Sequence, residues 1–483
     1  MTVAIACALT ALAAGPRAEG AGPGPVTVKF NPRLIPGFDP TAPDYAIQCK
    51  SSTPVALSFD ASGSTRVSVN GGPARSGHST AQVKLRAGRA LEFSIDSGPD
   101  AGTYHVRCLP KNFPGYLAKR YGQPQAGWYV LTVGYIGFTR PDYTIVFDDH
   151  GVPVWWKRDS KGLPFNGSLL PDGNIAWYTY TGGVFGIDPA GGFKERTLAG
   201  KTVDTWKVRG GPTDFHEFQV LPNHHVMMIR YKPRSHVDLR KYGGPSDATV
   251  VDGQVQEMNR HHRVVWTWST KDHIPLSDMK HWFHLLGRSR LRDGRNVYDV
   301  AHLNAIDPHG DRILISLRHT DAVYEIDKSS GRVLWKLGGR RTSKSLRFVG
   351  DPYGNKSFGG QHDARLSGDG RILTVFDNGT NRNRPPRAVL YRIDTANRTA
   401  TLLESVTNPG VDQSPCCGGA RKLPGGDWVV AWGAIRYVSE TDDSGNPVLT
   451  LDFNGRSTYR VFPVLPGGFD PAKLRAGMDA MAH

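Results

Sequence analysis

The sequence predicts an all-β chain: a β-propeller of about six blades preceded by a small β-sandwich. Three observations carry that prediction. The chain of 483 residues is too long for one ordinary compact core, yet it suits a large repetitive fold with an appendage. It holds 56 glycines and 34 prolines against 7 methionines, and its apolar runs are short and rich in Val, Ile, Trp and Tyr, as turns and strands require. From about residue 125 onward, a strand–turn–strand pattern repeats.

Residues 1–24 open with a short apolar run followed by small residues, MTVAIACALTALAAGPRAEGAG, the pattern of a secretory leader. The run lacks a basic start, so the true start is expected upstream or the leader clipped. It is too short to span a membrane, and no other stretch is suited to do so, which predicts an exported, secreted protein without a membrane span.

Residues 25–110 alternate in seven short strands, VTVKF, YAIQC, VALSF, RVSVN, AQVKL, LEFSI and TYHVRC, at the spacing of a small sandwich. Cys7 falls in the leader. Cys49 and Cys108 lie near the first and last of these strands, and in an exported chain they are expected to form a disulfide. Residues 111–125 read as a linker, 126–470 as the propeller and 471–483 as a tail.

The repeat takes the form NGSLLPDGNIAWYT, HEFQVLPNHHVMMIRY, HLNAIDPHGDRILISLRH, HDARLSGDGRILTVFDNG and GGARKLPGGDWVVAWG. Most copies are followed by a second hairpin, such as VYEIDKSSGRVLWKL or LYRIDTANRTATLL. Four strands per unit is the blade pattern. Five units are clear, and TIVFDDHGVPVWWK makes an incomplete sixth.

Aligning the turns exposes a register. His216, His302 and His362 each stand six residues before Pro222, Pro308 and Gly368, while Phe165 and Gly418 hold that position in the first and last units. First strands of blades line the central channel, so three imidazoles are expected to converge at one end of it. Asn304 shares a strand face with His302, and Arg318 leaves the following strand towards the same place. A buried arginine there calls for an anion or a carboxylate. His224, His225, His261 and His262 read as solvated turn tips.

A net charge of +15 admits nucleic acid, an anionic surface or a small anionic substrate. No dense Lys/Arg run or aromatic-studded motif supports nucleic acid. HEFQV starts like a zinc-protease motif, but Val220 stands where the second histidine belongs; AGKT lacks the first glycine of a phosphate loop, because Glu195 occupies it. No metal and no nucleotide cofactor is therefore predicted. Histidines with Asn and Arg suit transfer of an anionic group to an imidazole, the other residues holding its oxygens.

At DFHEFQVLPN, VVWTWSTKDHIPLSD, DVAHLNAID, ILISLRH, GGQHDARL and ARKLPGGDWVVAWG, over roughly residues 110–465, the chain resembles the secreted aryl sulfotransferases that work without phosphoadenosine phosphosulfate. The N-terminal sandwich and CCGGARKLPGG look like the branch found in actinobacteria and eukaryotes. The resemblance implies a six-bladed propeller and a ping-pong transfer from a phenolic sulfate ester to a phenolic acceptor through a sulfohistidine. By motif, the nucleophile falls on His362, assisted by His216, His302, Asn304 and Arg318. Two alternatives stay open from the residues: a propeller lyase acting on uronic-acid glycans, and a propeller that binds glycan or protein without catalysis. The adjacent Cys416 and Cys417 are expected to close a vicinal disulfide.

Overall fold

A computed structural model of the protein describes residues 25–50, 52–134, 142–182, 188–282, 289–290 and 296–481. The expected leader, residues 1–24, lies outside them. The molecule is all-β.

Val26–Asn31, Val55–Ala61 and Gly77–Val83 form one sheet, and Asp44–Gln48, Gly102–Leu109, Ala90–Ile95 and Val67–Val69 form a second. Their alternating buried residues share one core, with Phe30, Tyr45, Leu57, Phe59, Phe93 and Tyr104 at its centre. All seven expected strands are present, the fifth starting earlier than AQVKL. Cys49 and Cys108 are joined as expected, with Cα atoms 5.6 Å apart. The parallel pairing of Ile47 with Cys108 brings the two cysteines together.

Among the described residues, six further sheets follow, and they coincide with the sequence repeats. Their first strands, in chain order, are Leu163–Leu169, Thr213–Val220, Leu303–His309, His362–Ser367, Gly419–Lys422 and Ser457–Val464. Each first strand touches the next, and Ser457–Val464 returns to touch Leu163–Leu169. That last strand comes from the far end of the chain and completes the sheet of Trp128–Gly134, Asp142–Asp148 and Pro153–Asp159. The incomplete repeat lacked its first strand for this reason.

Two segments differ from expectation. Tyr116–Arg120, inside the predicted linker, is a strand paired with Pro447–Phe453, so its backbone covers the edge of that sheet. Pro471–Met481, inside the predicted tail, is a helix whose Leu474 and Met478 are buried. Arg475 binds Asp44 at 2.7–2.8 Å and Asp479 binds Arg107 at 2.7 Å, which ties this helix to the N-terminal sheets. Among the described residues, no helix is long and apolar enough to cross a membrane.

The first strands are not regular. Register shifts interrupt them at Phe165/Ser168, Thr213/Phe218, Leu303/Ala305, His362/Arg365 and Thr458/Val461. A bulge adds a residue on one strand and re-aims the side chains beside it. His302 and Asp363 accordingly adopt positive φ, at 51° and 52°.

Candidate active site

The three register histidines meet. His216, His302 and His362 bring ligand nitrogens within 4.8 Å of one another, and the rings of His216 and His302 lie edge-to-face at 4.9 Å. His216 and His362 are buried, and His302 is partly exposed.

Each ring is oriented by an acceptor at Nδ1. His216 donates to Asp214 at 2.7 Å, His302 to Asp299, and His362 to the amide oxygen of Asn378 at 2.7 Å. Asn378 cannot turn its nitrogen towards the ring without losing bonds, because that nitrogen donates to Ser414 Oγ at 2.8 Å and to the Cys417 carbonyl at 2.9 Å. All three rings therefore hold a proton on Nδ1, which leaves Nε2 to face other partners, the Cys417 N–H in the case of His362.

Burial holds His362 well below the ordinary imidazole pKa, and the Arg318 charge lowers it further against the opposing bond to Asn378. Burial also lowers His216, with the Asp214 carboxylate opposing. Burial pushes the Asp299 carboxyl up, but the charge and hydrogen bond of His302 outweigh it and bring it to about 2.

Arg318 begins a short turn directly after its strand, and its backbone N–H donates to the His302 carbonyl at 3.0 Å. Its guanidinium donates to the Pro415 carbonyl at 2.8 Å and to His319 Nε2 at 2.8 Å. A fourth histidine, His319, is buried beside them, with Nδ1 donating to the Asp299 carbonyl at 2.6 Å and its ring 4.8 Å from that of His302. Asn304 is fully buried, and its amide nitrogen donates at 2.8 Å to the carbonyl of Gln361, the residue before His362. Its side-chain oxygen is buried with no hydrogen-bond partner among the described residues. Thus all five predicted residues are gathered in one cluster, with Asn304 supporting the strand of His362.

A buried ionic layer lies beside them. Glu217 accepts from Arg365 at 2.6 Å and Arg460 at 3.2 Å, while Asp363 accepts from Arg365 at 2.7 Å and Arg421 at 2.8 Å. Arg460 also donates to the carbonyls of His216 at 3.0 Å and Asn304 at 2.6 Å. One arginine so links the strands of two register positions.

The register position of the first sheet holds Phe165, half-buried and stacked on Phe215 at 4.6 Å. Phe215 in turn stacks on His216 at 4.2 Å. A cavity of about 670 Å³ lined by Asn378, Thr380, Arg384, Ser414 and Pro415 starts at the residue that orients His362.

Two expectations are corrected. His225 is held by Glu257 at 2.7 Å and His262 stacks on Trp206 at 4.3 Å, so neither is a freely solvated tip; both reach back over neighbouring strands. Cys416 and Cys417 are free thiols, their sulfurs 2.9 Å apart. Adjacent Cα atoms sit closer than a disulfide's usual span, so closing the pair costs strain.

Three converging nitrogens can surround a metal ion or the oxygens of an anion. The guanidinium close enough to depress His362 favours the anion. The sequence profile of the arylsulfotransferase (ASST) family matches residues 193–454, which contain every one of the five predicted residues. The chain belongs to the arylsulfotransferase family. No curated protein matches it significantly. Among solved structures, a protein of unknown function from Bacteroides caccae is 13% identical, with 70% of this chain and 99% of that chain covered at a TM-score of 0.40. A periplasmic gluconolactonase from Pseudomonas aeruginosa is 14% identical, with 70% and 100% covered at 0.39. An auxiliary nutrient binding protein from Bacteroides ovatus is 10% identical, with 89% and 85% covered at 0.35.

Sequence reasoning did not reach every residue of this site. Asp214, Asp299, Asn378, His319, Glu217, Asp363 and Arg460 were all missed. Some signal existed: DFH and DVAH each place an aspartate just before a register histidine, and DNG follows the strand paired with His362.

Proposed function

We propose that the protein transfers a sulfuryl group from a phenolic sulfate ester to a phenolic acceptor through a sulfohistidine at His362, on a closed propeller whose six blades are the six repeat sheets. One observation carries this reading: a buried imidazole, held well below the ordinary pKa by burial and by the Arg318 charge, has its Nδ1 proton pinned by Asn378 and lies against two more imidazoles.

In the first half-reaction, the Nε2 lone pair forms the N–S bond while the S–O bond to the phenol breaks. The departing phenolate takes a proton from the imidazolium form of His302, whose Nδ1–H rests on Asp299. In the second, the acceptor hydroxyl returns a proton to His302, and its oxygen takes the sulfuryl group as the N–S electrons return to Nε2. Arg318 and the Cys417 N–H, which lies 3.2 Å from Nε2, are placed to meet the sulfuryl oxygens. Each well-aimed donor lowers such a barrier by about 3 kcal/mol. The half-buried Phe165 supports an aromatic ester, because it extends a stack of rings that runs through Phe215 to His216.

Incubation with an aryl sulfate, followed by mass analysis, tests this. A sulfate-sized gain on the peptide holding His362, discharged by a phenol, is expected. Unchanged turnover in His362→Ala would overturn it.

A further inference from the structure

We propose that Cys416 and Cys417 form a thiol–disulfide site that is modified by small-molecule disulfides and that, by closing, withdraws the Cys417 peptide from His362. The effect on turnover rests on the reading of His362 as the sulfuryl carrier; the closure and its effect on the imidazole do not.

The geometry joins the sulfurs to the imidazole through one peptide. The Cys417 N–H donates to His362 Nε2 at 3.2 Å, at the long end of a hydrogen bond. The Cys417 carbonyl accepts from Asn378, whose oxygen holds the opposite nitrogen of the same ring. Both edges of His362 are thus set by the backbone of a residue whose sulfur lies 2.9 Å from its neighbour's. A bond between those sulfurs is about 2.0 Å long and closes a ring of eight atoms that includes the Cys417 nitrogen. Moving the sulfurs together must shift that nitrogen, and a bond already at 3.2 Å has no reserve. Cys417 already holds φ at +67°, a conformation that few non-glycine residues adopt.

The pair is also chemically prepared. The Cys417 thiol hydrogen bond pulls Cys416 down to about 7 against burial, with Arg318 and His302 assisting, while the same bond and burial push Cys417 up. One sulfur is therefore the attacking thiolate and the other the resolving thiol. The Cys416 thiolate attacks a sulfur of oxidised glutathione and displaces one glutathione thiolate, leaving a mixed disulfide. Cys417 then loses its proton and attacks the Cys416 sulfur, displacing the second glutathione. The protein gives up two protons and two electrons, which the small disulfide gains. A strained closed ring is easily reduced again, as reversible control requires. The Cys49–Cys108 disulfide shows that the chain sustains oxidised cysteines elsewhere.

The test exposes the reduced protein to oxidised glutathione and follows three readouts. Mass mapping is expected to show the peptide of Cys416 and Cys417 losing two hydrogens and resisting alkylation. Carbethoxylation of His362 by diethyl pyrocarbonate should become at least threefold faster, because Nε2 loses its donor. Aryl sulfate turnover should fall at least tenfold and return with dithiothreitol, whereas Cys416→Ser keeps the reduced-state turnover and ignores the oxidant. A pair that stays alkylatable overturns the proposal, and so does a closed pair with unchanged carbethoxylation. If the reduced protein turns over no aryl sulfate, the sulfuryl-transfer reading fails, while carbethoxylation still decides the switch.

Discussion

The Asn378 amide oxygen accepts the Nδ1 proton of His362 at 2.7 Å, and this contact determines which nitrogen of the ring can attack. A carboxylate performs the same duty for His216 and His302. The difference is chemical: an amide orients the ring without adding a negative charge that would favour its protonation. Of the three rings, the one without a carboxylate partner is the one the mechanism needs neutral.

Asn378→Asp should therefore keep the orientation of His362 but raise its pKa. In the unaltered protein His362 lies well below 6.5, so the acid limb of the kcat/KM profile belongs at low pH. In the variant that limb should move up by at least one pH unit, with turnover near neutral pH retained better than in Asn378→Ala. A pH–rate series on both variants checks this, and an unmoved limb counts against the assigned role.

Arg318 should matter for rate more than for folding. Its guanidinium donates to the Pro415 carbonyl and to His319, while Glu217 and Asp363 of the ionic layer are held by Arg365, Arg421 and Arg460, so Arg318→Ala leaves that layer intact. Loss of a donor aimed at the moving group costs about 3 kcal/mol, a hundredfold or more in kcat. Steady-state kinetics with an aryl sulfate, alongside urea denaturation, separates the two. Equal losses in rate and stability would refute the assignment.

How much of this was legible in the sequence follows from where each partner resides. His216, His302 and His362 could be found because a repeat returns one register to successive first strands. The repeat did not mark Asp299 and Asn378, since one precedes its histidine by three residues and the other follows by sixteen, so they share no register and only the short DVAH and DNG runs hinted at them. The same distinction separates the sheets. The hairpins were readable from local pattern, while Ser457–Val464 and Tyr116–Arg120 complete sheets whose other strands lie at the opposite end of the chain. Glu217 and Arg460 lie 243 residues apart, and only the packing of their strands brings them together.

Stability should fall as the pH drops below about 6.5. His216, His319 and His362 are buried with lowered pKa values, so the unfolded chain binds protons that the folded one refuses. From the unfolded value of about 6.5 down to each folded value, every such group removes about 1.4 kcal/mol per pH unit. Three together remove up to about 4 kcal/mol between pH 6.5 and 5.5. Asp299, held at about 2, keeps its own contribution through this window. Urea midpoints at pH 7 and 5.5 measure the loss, and His319→Asn should reduce it by about a third.

Glu217 gives the sharpest stability prediction. It is fully buried and meets Arg365 at 2.6 Å and Arg460 at 3.2 Å, so Glu217→Ala strands two buried guanidinium groups with less countercharge. Breaking a buried pair from one side costs about 3–5 kcal/mol, because the remaining charge has lost its partner but not its burial. Asp363 still holds Arg365 at 2.7 Å, but Arg460 lies 3.6 Å from it and depends more on Glu217. Because Arg460 also holds the carbonyls of His216 and Asn304, its displacement should loosen both the fold and the histidine cluster. Adding Arg460→Met to Glu217→Ala should recover at least 1 kcal/mol, since it removes the stranded charge. Urea denaturation of the single and double variants measures this, and a double variant less stable than Glu217→Ala would show that Arg460 acts through its carbonyl bonds instead.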